Sequence, residues 1–100
     1  MSKIVVNFNF PKLSPEQYNN ILKETEPLRK ASYPGLLFHV SAPNGAGMFV
    51  CDIWESEAEF NAFGEVMLPV LVKVGGIPVA PSIYPLQNVI NESDRIPAHQ

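Results

Sequence analysis

The chain of 100 residues is long enough for one domain and carries a formal net charge of −3, from seven Lys and Arg against ten Asp and Glu. No basic stripe is present to neutralise phosphates, so the sequence lacks the electrostatic signature of a nucleic-acid-binding or membrane-surface protein. Apolar residues make up 46% of the chain and charged residues only 17%, which favours an oligomer with part of its surface buried.

The single cysteine, Cys51, excludes an intrachain disulfide and argues against a cysteine-based zinc site. It lies in an apolar run, and we interpret it as a small buried hydrophobe. Residues 1–10 lack the apolar core of a signal peptide, and the apolar stretch 66–80 is interrupted by Pro69 and other breakers. We therefore expect a cytoplasmic protein.

The first two predicted elements are a strand and a helix. Residues 3–10 alternate between apolar and polar positions, which is typical of a strand. Ser14 and Gln17 have the spacing of a capping box, and Pro15 falls at the first helical position, where proline is tolerated. Pro27 predicts that this helix bends or ends near Glu26.

The next elements are a hairpin and a second helix. Residues 36–41 and 48–55 read as strands, and the Pro-Asn-Gly-Ala-Gly run at 43–47 predicts a tight turn between them. Ser56 and Glu59 form a second predicted capping box. The helix that follows has an apolar face, and Pro69 predicts a kink or a split in it.

Residues 82–90 read as a fourth strand, and Pro85 predicts that this strand lies at a sheet edge because proline has no N–H to pair. The order β-α-β-β-α-β predicts an α+β fold: a ferredoxin-like sandwich of a four-stranded antiparallel sheet with two helices on one face. We expect a single domain over residues 1–100, with 91–100 as a loose polar tail.

Helices on one face leave the other face of the sheet uncovered. Alternate residues of a strand point to opposite faces, and in each strand we assign the more apolar set to the face that carries the helices. The remaining set then predicts that the bare face carries Val5, Leu37, Met48, Val50, Ile83 and Val89. An apolar face of this size favours burial against a second copy, so we predict a homodimer formed through the sheet face.

The order of elements resembles the dimeric α/β-barrel superfamily. The resemblance rests on the junction Trp54-Glu55-Ser56-Glu57 between the third strand and the second helix, and on Phe60 and Phe63 at the start of that helix. It covers roughly residues 3–90, and the segments 7–10, 38–40 and 84–90 are similar to one largely uncharacterised branch. The superfamily includes antibiotic-biosynthesis monooxygenases, small cofactor-less oxygenases, heme-degrading monooxygenases and stress-responsive barrel proteins.

The resemblance implies the dimeric fold described above and an activity without a cofactor. Many catalytic relatives carry a histidine in the second helix near the position of Phe63. A phenylalanine can neither ligate iron nor move a proton, so a heme-degrading role is not favoured. One fold of this kind serves many functions, so the activity has to come from the site residues.

Polar residues interrupt the otherwise apolar strands and are the candidates for a site. Aligning the strands by their apolar sets predicts one common face for Asn7, His39, Asp52, Trp54 and Gln87. A buried polar side chain without a partner costs about 1–3 kcal/mol, so each needs a protein partner, water or a ligand.

His39 and Asn7 are the candidate catalytic residues. Histidine changes protonation near neutral pH, so His39 is the best acid–base candidate; the alternative is a strand histidine held by Asp52 or a backbone carbonyl. Asn7 has the chemistry to stabilise an enolate oxygen, or it is an ordinary polar residue on a partly wet strand.

Trp54, Tyr84, Gln87 and Asp52 are the candidate residues of a ligand pocket. Trp54 would supply a flat platform for an aromatic ligand, or it anchors the junction of sheet and helix in the core. Tyr84 would donate a hydrogen bond to a phenolate or quinone oxygen, or it is an ordinary strand aromatic.

Two functions fit the sequence. The first is a cofactor-less monooxygenase acting on a small aromatic or enolisable compound, which needs an apolar pocket, one base and an oxyanion partner. The second is a non-catalytic small-ligand-binding or stress-related dimer. The two histidines, His39 and His99, are far apart and no glycine-rich phosphate loop is present, so we expect neither a metal site nor a cofactor.

Overall fold

The elements follow the order β-α-β-β-α-β in a computed structural model that describes residues 2–28 and 33–90. The strands are β1 (Ile4–Phe10), β2 (Leu36–Asn44), β3 (Gly47–Trp54) and β4 (Ser82–Pro85). The helices are α1 (Pro15–Thr25) and α2 (Glu57–Lys73), and a short 3-10 turn (Glu26–Leu28) follows α1. The predicted polar tail at 91–100 lies outside the described residues.

The four strands form one antiparallel sheet in the order β2-β3-β1-β4, which confirms the predicted fold. β4 is an edge strand, as Pro85 predicts. It ends at Pro85 and not at residue 90, because Pro85 already lies opposite Ile4 at the start of β1. One further bond, from the Leu86 N–H to the Lys3 carbonyl, continues the pairing beyond the strand.

Both helices begin at the predicted serine caps. Ser14 and Gln17 make the reciprocal capping box, with bonds of 2.9 and 3.1 Å. At α2 the Ser56 hydroxyl accepts from the Glu59 N–H at 3.2 Å, but the Glu59 carboxylate accepts from the Ser56 hydroxyl and not from its N–H. The α2 cap is therefore a side-chain variant of the predicted box.

Pro69 does not split α2, which runs as one helix over Glu57–Lys73. Proline leaves the carbonyl of Glu65, four residues earlier, without its helical partner. Glu65 and Pro69 are both exposed, so water can satisfy that carbonyl at little cost. Of the two predicted outcomes, a kink or a split, the split was wrong, because the proline lies on the exposed side of the helix.

Both helices pack on the sheet face that carries Val6 and Trp54. In the antiparallel ladder Val6 lies opposite Asp52 and Ile83, so these side chains share one face. One core cluster joins Ile4, Val6 and Trp54 to Phe60 of α2; a second joins Met48 to Ile21 of α1 and Leu71 of α2. The core is therefore shared between the sheet and both helices.

The composition predicted for the bare face was wrong at three positions. Met48 and Val50 lie on the helix-covered face, because β3 is apolar on both faces and its parity did not distinguish them. Ile83, in β4, lies opposite Val6 and therefore belongs to the helix-covered face as well. Leu37 is skipped in the pairing of β2 with β3, and Val89 lies beyond β4. The opposite face carries the other parity of each strand. Its members are Val5, Asn7, Asn9, Phe38, Val40, Ala42, Asn44, Phe49, Cys51, Ile53, Ser82 and Tyr84, and we call this set the open sheet face.

A β-bulge in β2 decides where His39 points. Leu36 lies opposite Trp54 and Phe38 lies opposite Ile53, so Leu37 is the extra residue in the ladder. The bulge shifts the alternation by one residue, and His39 comes to lie opposite Asp52 on the helix-covered face. Without the bulge, His39 would point away from the helices.

Candidate active site

A cavity of about 610 Å³ lies between the two helices and the sheet. Its walls are mainly aromatic and aliphatic, with contributions from β1, α1, α2 and the segment that leads into β4. Among its lining side chains are Phe8, Phe10, Phe60, Phe63, Met67 and Ile83. A cavity of this size and polarity suits a small aromatic ligand.

Three polar side chains of the cavity wall form a continuous hydrogen-bonded chain. The Tyr18 hydroxyl lies 2.6 Å from His39 Nε2, and His39 Nδ1 lies 2.6 Å from Asp52 Oδ1. All three residues line the cavity. Asp52 is buried, with 4% of its side chain exposed, whereas the His39 side chain is 35% exposed.

The partners assign the protons in this chain. A carboxylate only accepts, so His39 Nδ1 carries a hydrogen and donates it to Asp52. In the neutral ring Nε2 is then an acceptor, and the Tyr18 hydroxyl donates a hydrogen bond to it. Asp52 thus holds the ring in the tautomer whose basic nitrogen faces Tyr18, which is the arrangement of an oriented general base.

Trp54 supports this chain from the core and does not line the cavity. Its ring is fully buried and packs against Phe60 and Phe63 at centroid distances of 6.0 and 4.8 Å. Its Nε1–H donates to Asp52 Oδ2 at 3.3 Å. The core-anchor interpretation of Trp54 therefore fits its position, and the ring also supplies the second donor to the Asp52 carboxylate.

The predicted common face was partly wrong. His39, Asp52 and Trp54 do share a face, but Asn7 lies opposite Cys51 and belongs to the open sheet face. Tyr84, which was predicted only as a pocket residue, lies opposite Val5 on the same open sheet face. Gln87 lies beyond β4 and is exposed. None of these three is among the residues that line the cavity, and the Asn7 Oδ1 atom is buried without a hydrogen-bond partner in the described part of the chain.

Tyr18 is the functional candidate that the sequence analysis missed. It lies at the helical spacing of the apolar residues of α1, and it packs against the cluster that contains Leu13. The available signal was its hydroxyl group, because a polar atom on a core-facing helix position needs a partner. The sequence contained that requirement but not the identity of the partner.

Cys51 lies next to the site but on the other face of the sheet. Burial raises the pKa of its thiol, and the neighbouring Asp52 carboxylate raises it further. A thiol with a raised pKa is a poor nucleophile at neutral pH. The raised pKa fits the predicted apolar environment, but Cys51 is half-buried and not fully buried as predicted.

Residues 2–28 and 33–90 hold no group of three or more His, Cys, Asp or Glu side chains placed to bind a metal ion. No helix in the same ranges is long and apolar enough to cross a membrane.

Comparison with known proteins gives matches at the level of structure only. No family model and no curated protein sequence matches the chain. SnoaB, a cofactor-independent oxygenase from Streptomyces nogalater, superposes with a TM-score of 0.65 at 13% identity, over 92% of this chain and 100% of that one.

Two further solved structures extend this result. The ActVA-Orf6 monooxygenase of Streptomyces coelicolor, determined with the ligand nanaomycin D, gives a TM-score of 0.56 at 17% identity, over 90% of this chain and 91% of that one. A dimeric ferredoxin-like protein of unknown function from Thermobifida fusca gives a TM-score of 0.57 at 15% identity, over 85% of this chain and 92% of that one. The chain therefore shares the ferredoxin-like fold of these proteins, which confirms the fold predicted from the sequence.

Proposed function

We propose that the protein is a cofactor-less monooxygenase-like enzyme that acts on a small aromatic or enolisable compound. The observation that carries this proposal is the Tyr18–His39–Asp52 chain in the wall of an otherwise apolar cavity. An apolar cavity binds the flat, uncharged part of such a substrate, while the chain provides a base at one defined place.

The chemistry needs only this base and molecular oxygen. The substrate, which has an acidic methylene group in its keto form, loses one proton to His39 through the hydrogen-bonded Tyr18 hydroxyl and becomes a resonance-stabilised carbanion. The carbanion transfers its electron pair to oxygen in two one-electron steps, a C–O bond forms, and the peroxide anion takes the proton back from the imidazolium to give a hydroperoxide. Loss of the remaining C–H proton together with hydroxide breaks the O–O bond. The products are a ketone and water, so one oxygen atom enters the organic product.

The buried Asp52 carboxylate favours the first step. A proton that moves to His39 creates an imidazolium 2.6 Å from the carboxylate, where the opposite charges attract strongly because little water separates them. Trp54 stabilises the same carboxylate from the opposite side. The similarity in fold to SnoaB, which is itself a cofactor-independent oxygenase, supports this direction.

We also propose that the protein works as a homodimer through the open sheet face. Phe38 and Val40 on that face are 47% and 46% exposed, and Tyr84 is 53% exposed. Burying such side chains contributes about 25 cal/mol per Å² of apolar area. A second copy packed through a two-fold axis covers the face with the same residues. The dimeric ferredoxin-like protein of Thermobifida fusca has the same fold and supports this assembly.

Oxygen consumption with anthrone tests the proposed activity. Anthrone has one acidic methylene group between two aromatic rings, and its oxidation to anthraquinone consumes one O2 for each molecule. We expect the protein to raise the rate above that of the protein-free buffer, and the variant His39→Gln to lose most of the increase. Stoichiometric binding of anthrone without any acceleration would instead support the non-catalytic ligand-binding dimer.

A further inference from the structure

The Tyr18 hydroxyl stands between the cavity and the basic nitrogen of His39. Tyr18 is in the first turn of α1, and its ring lies nearly parallel to that of His39, at 8° with a centroid distance of 6.3 Å. Its oxygen lies 2.6 Å from His39 Nε2. The lone pair of that nitrogen is therefore already occupied by a tyrosine that itself lines the cavity.

At Tyr18, only hydrogen-bond acceptors are left for a ligand. With the imidazole neutral, the Tyr18 O–H donates to His39 Nε2, the His39 Nδ1–H donates to Asp52, and the Trp54 Nε1–H also donates to Asp52. Each of these donors is used within the protein. The capacity left over at Tyr18 consists of the oxygen lone pairs, which accept hydrogen bonds but cannot donate one. A ligand that forms a hydrogen bond with Tyr18 therefore has to bring the donor.

We infer that Tyr18 is the catalytic residue that receives the substrate's proton, and that the site binds its substrate through an un-ionised hydroxyl group of a phenol or an enol. This inference rests on the proposed function. The substrate O–H bond breaks and its proton joins Tyr18 Oη, while the proton that Tyr18 held moves to His39 Nε2. One neutral substrate and one neutral imidazole become an anion and an imidazolium, and Tyr18 is unchanged.

The exposure of His39 provides a way to complete the cycle. With 35% of its side chain in contact with solvent, the imidazolium can exchange its proton with water, whereas Asp52 at 4% cannot. Asp52 is a positioning residue in this scheme, because it acts only through His39. An ether or a quinone, which only accepts hydrogen bonds, matches Tyr18 poorly in the resting state.

The test compares the binding of 2-naphthol and 2-methoxynaphthalene to the full chain by calorimetry at neutral pH. The two probes share one ring system, and methylation of the oxygen removes the donor from the second. We expect wild-type protein to bind 2-naphthol about tenfold more tightly, which corresponds to one hydrogen bond of ordinary strength. In Tyr18→Phe the preference should fall below about twofold, and in the control Tyr84→Phe, which removes a hydroxyl from the open sheet face, it should persist.

The outcomes separate this inference from the proposed activity. Equal affinity of the two probes for wild-type protein, a preference retained in Tyr18→Phe, or binding of neither probe would overturn the inference, even if anthrone is oxidised. A preference that depends on Tyr18 supports it, even if no oxygen is consumed. Equal affinity in wild-type protein overturns the inference without any variant, so the inference stays falsifiable even if Tyr18→Phe does not fold.

Discussion

His39 Nδ1 lies 2.6 Å from Asp52 Oδ1, and the two residues face each other directly in the ladder between β2 and β3. The pairing exists because the bulge at Leu37 turns His39 toward the helices. Asp52 is fixed from its other side by Trp54, so the carboxylate has little freedom to reorient. The rigid sheet therefore holds the imidazole in one orientation, while α1 brings Tyr18 to it.

Removing either member of this pair should abolish most of the activity with anthrone. His39→Gln removes the base, and Asp52→Asn removes the charge that stabilises the imidazolium. Each should lower the oxygen-consumption rate by about 10²–10⁴-fold, the usual contribution of a general base. The control is Glu55→Gln, which alters a half-exposed carboxylate 3.6 Å from Lys3 at the end of β3. A similar loss in this control, or full activity in His39→Gln, would contradict the assignment.

Trp54 should dominate the stability of the domain. Trp54→Ala leaves a cavity in a fully buried cluster and should cost about 3–5 kcal/mol of the free energy of unfolding. That is a large share of the roughly 5–15 kcal/mol available to a domain of this kind. Urea denaturation followed by circular dichroism measures the loss. An unchanged unfolding midpoint would show that the ring is not a core anchor.

The open sheet face should carry the dimer contact. Val40→Lys places a charge on this face and should convert the dimer to monomers in sedimentation at micromolar concentration. Val72→Lys is the matched control, since Val72 is 57% exposed on α2, away from the sheet. Wild-type protein that sediments at the 11.1 kDa of a single chain would refute the assembly.

Cys51 should react slowly with thiol reagents. Its pKa is raised by burial and by Asp52, so at neutral pH less thiolate is present than in a free cysteine. The rate of reaction with Ellman's reagent should keep rising with pH after that of a free cysteine has levelled off. Asp52→Asn removes the repelling charge and should speed the reaction at neutral pH. A reaction as fast as that of an unfolded control would argue against this environment.

The sequence predicted the elements and their order, because caps and turns are local signals. Ser14, Ser56 and the Asn-Gly turn act within a few residues, and the structure has each where expected. The face that each strand residue occupies was harder to predict, because β3 is apolar on both sides and the Leu37 bulge shifts the alternation of β2 by one residue. The Tyr18–His39 bond joins residues 21 positions apart through packing, and no local pattern encodes such a contact.

The incorporation of oxygen from 18O2 during anthrone oxidation tests the central claim most directly. The proposed chemistry places one labelled atom in anthraquinone and the other in water, at a rate that depends on the protein. We predict singly labelled anthraquinone formed faster with wild-type protein than with His39→Gln or in buffer. A labelled product formed at the same rate in all three samples would show that His39 does not act as the base in this reaction.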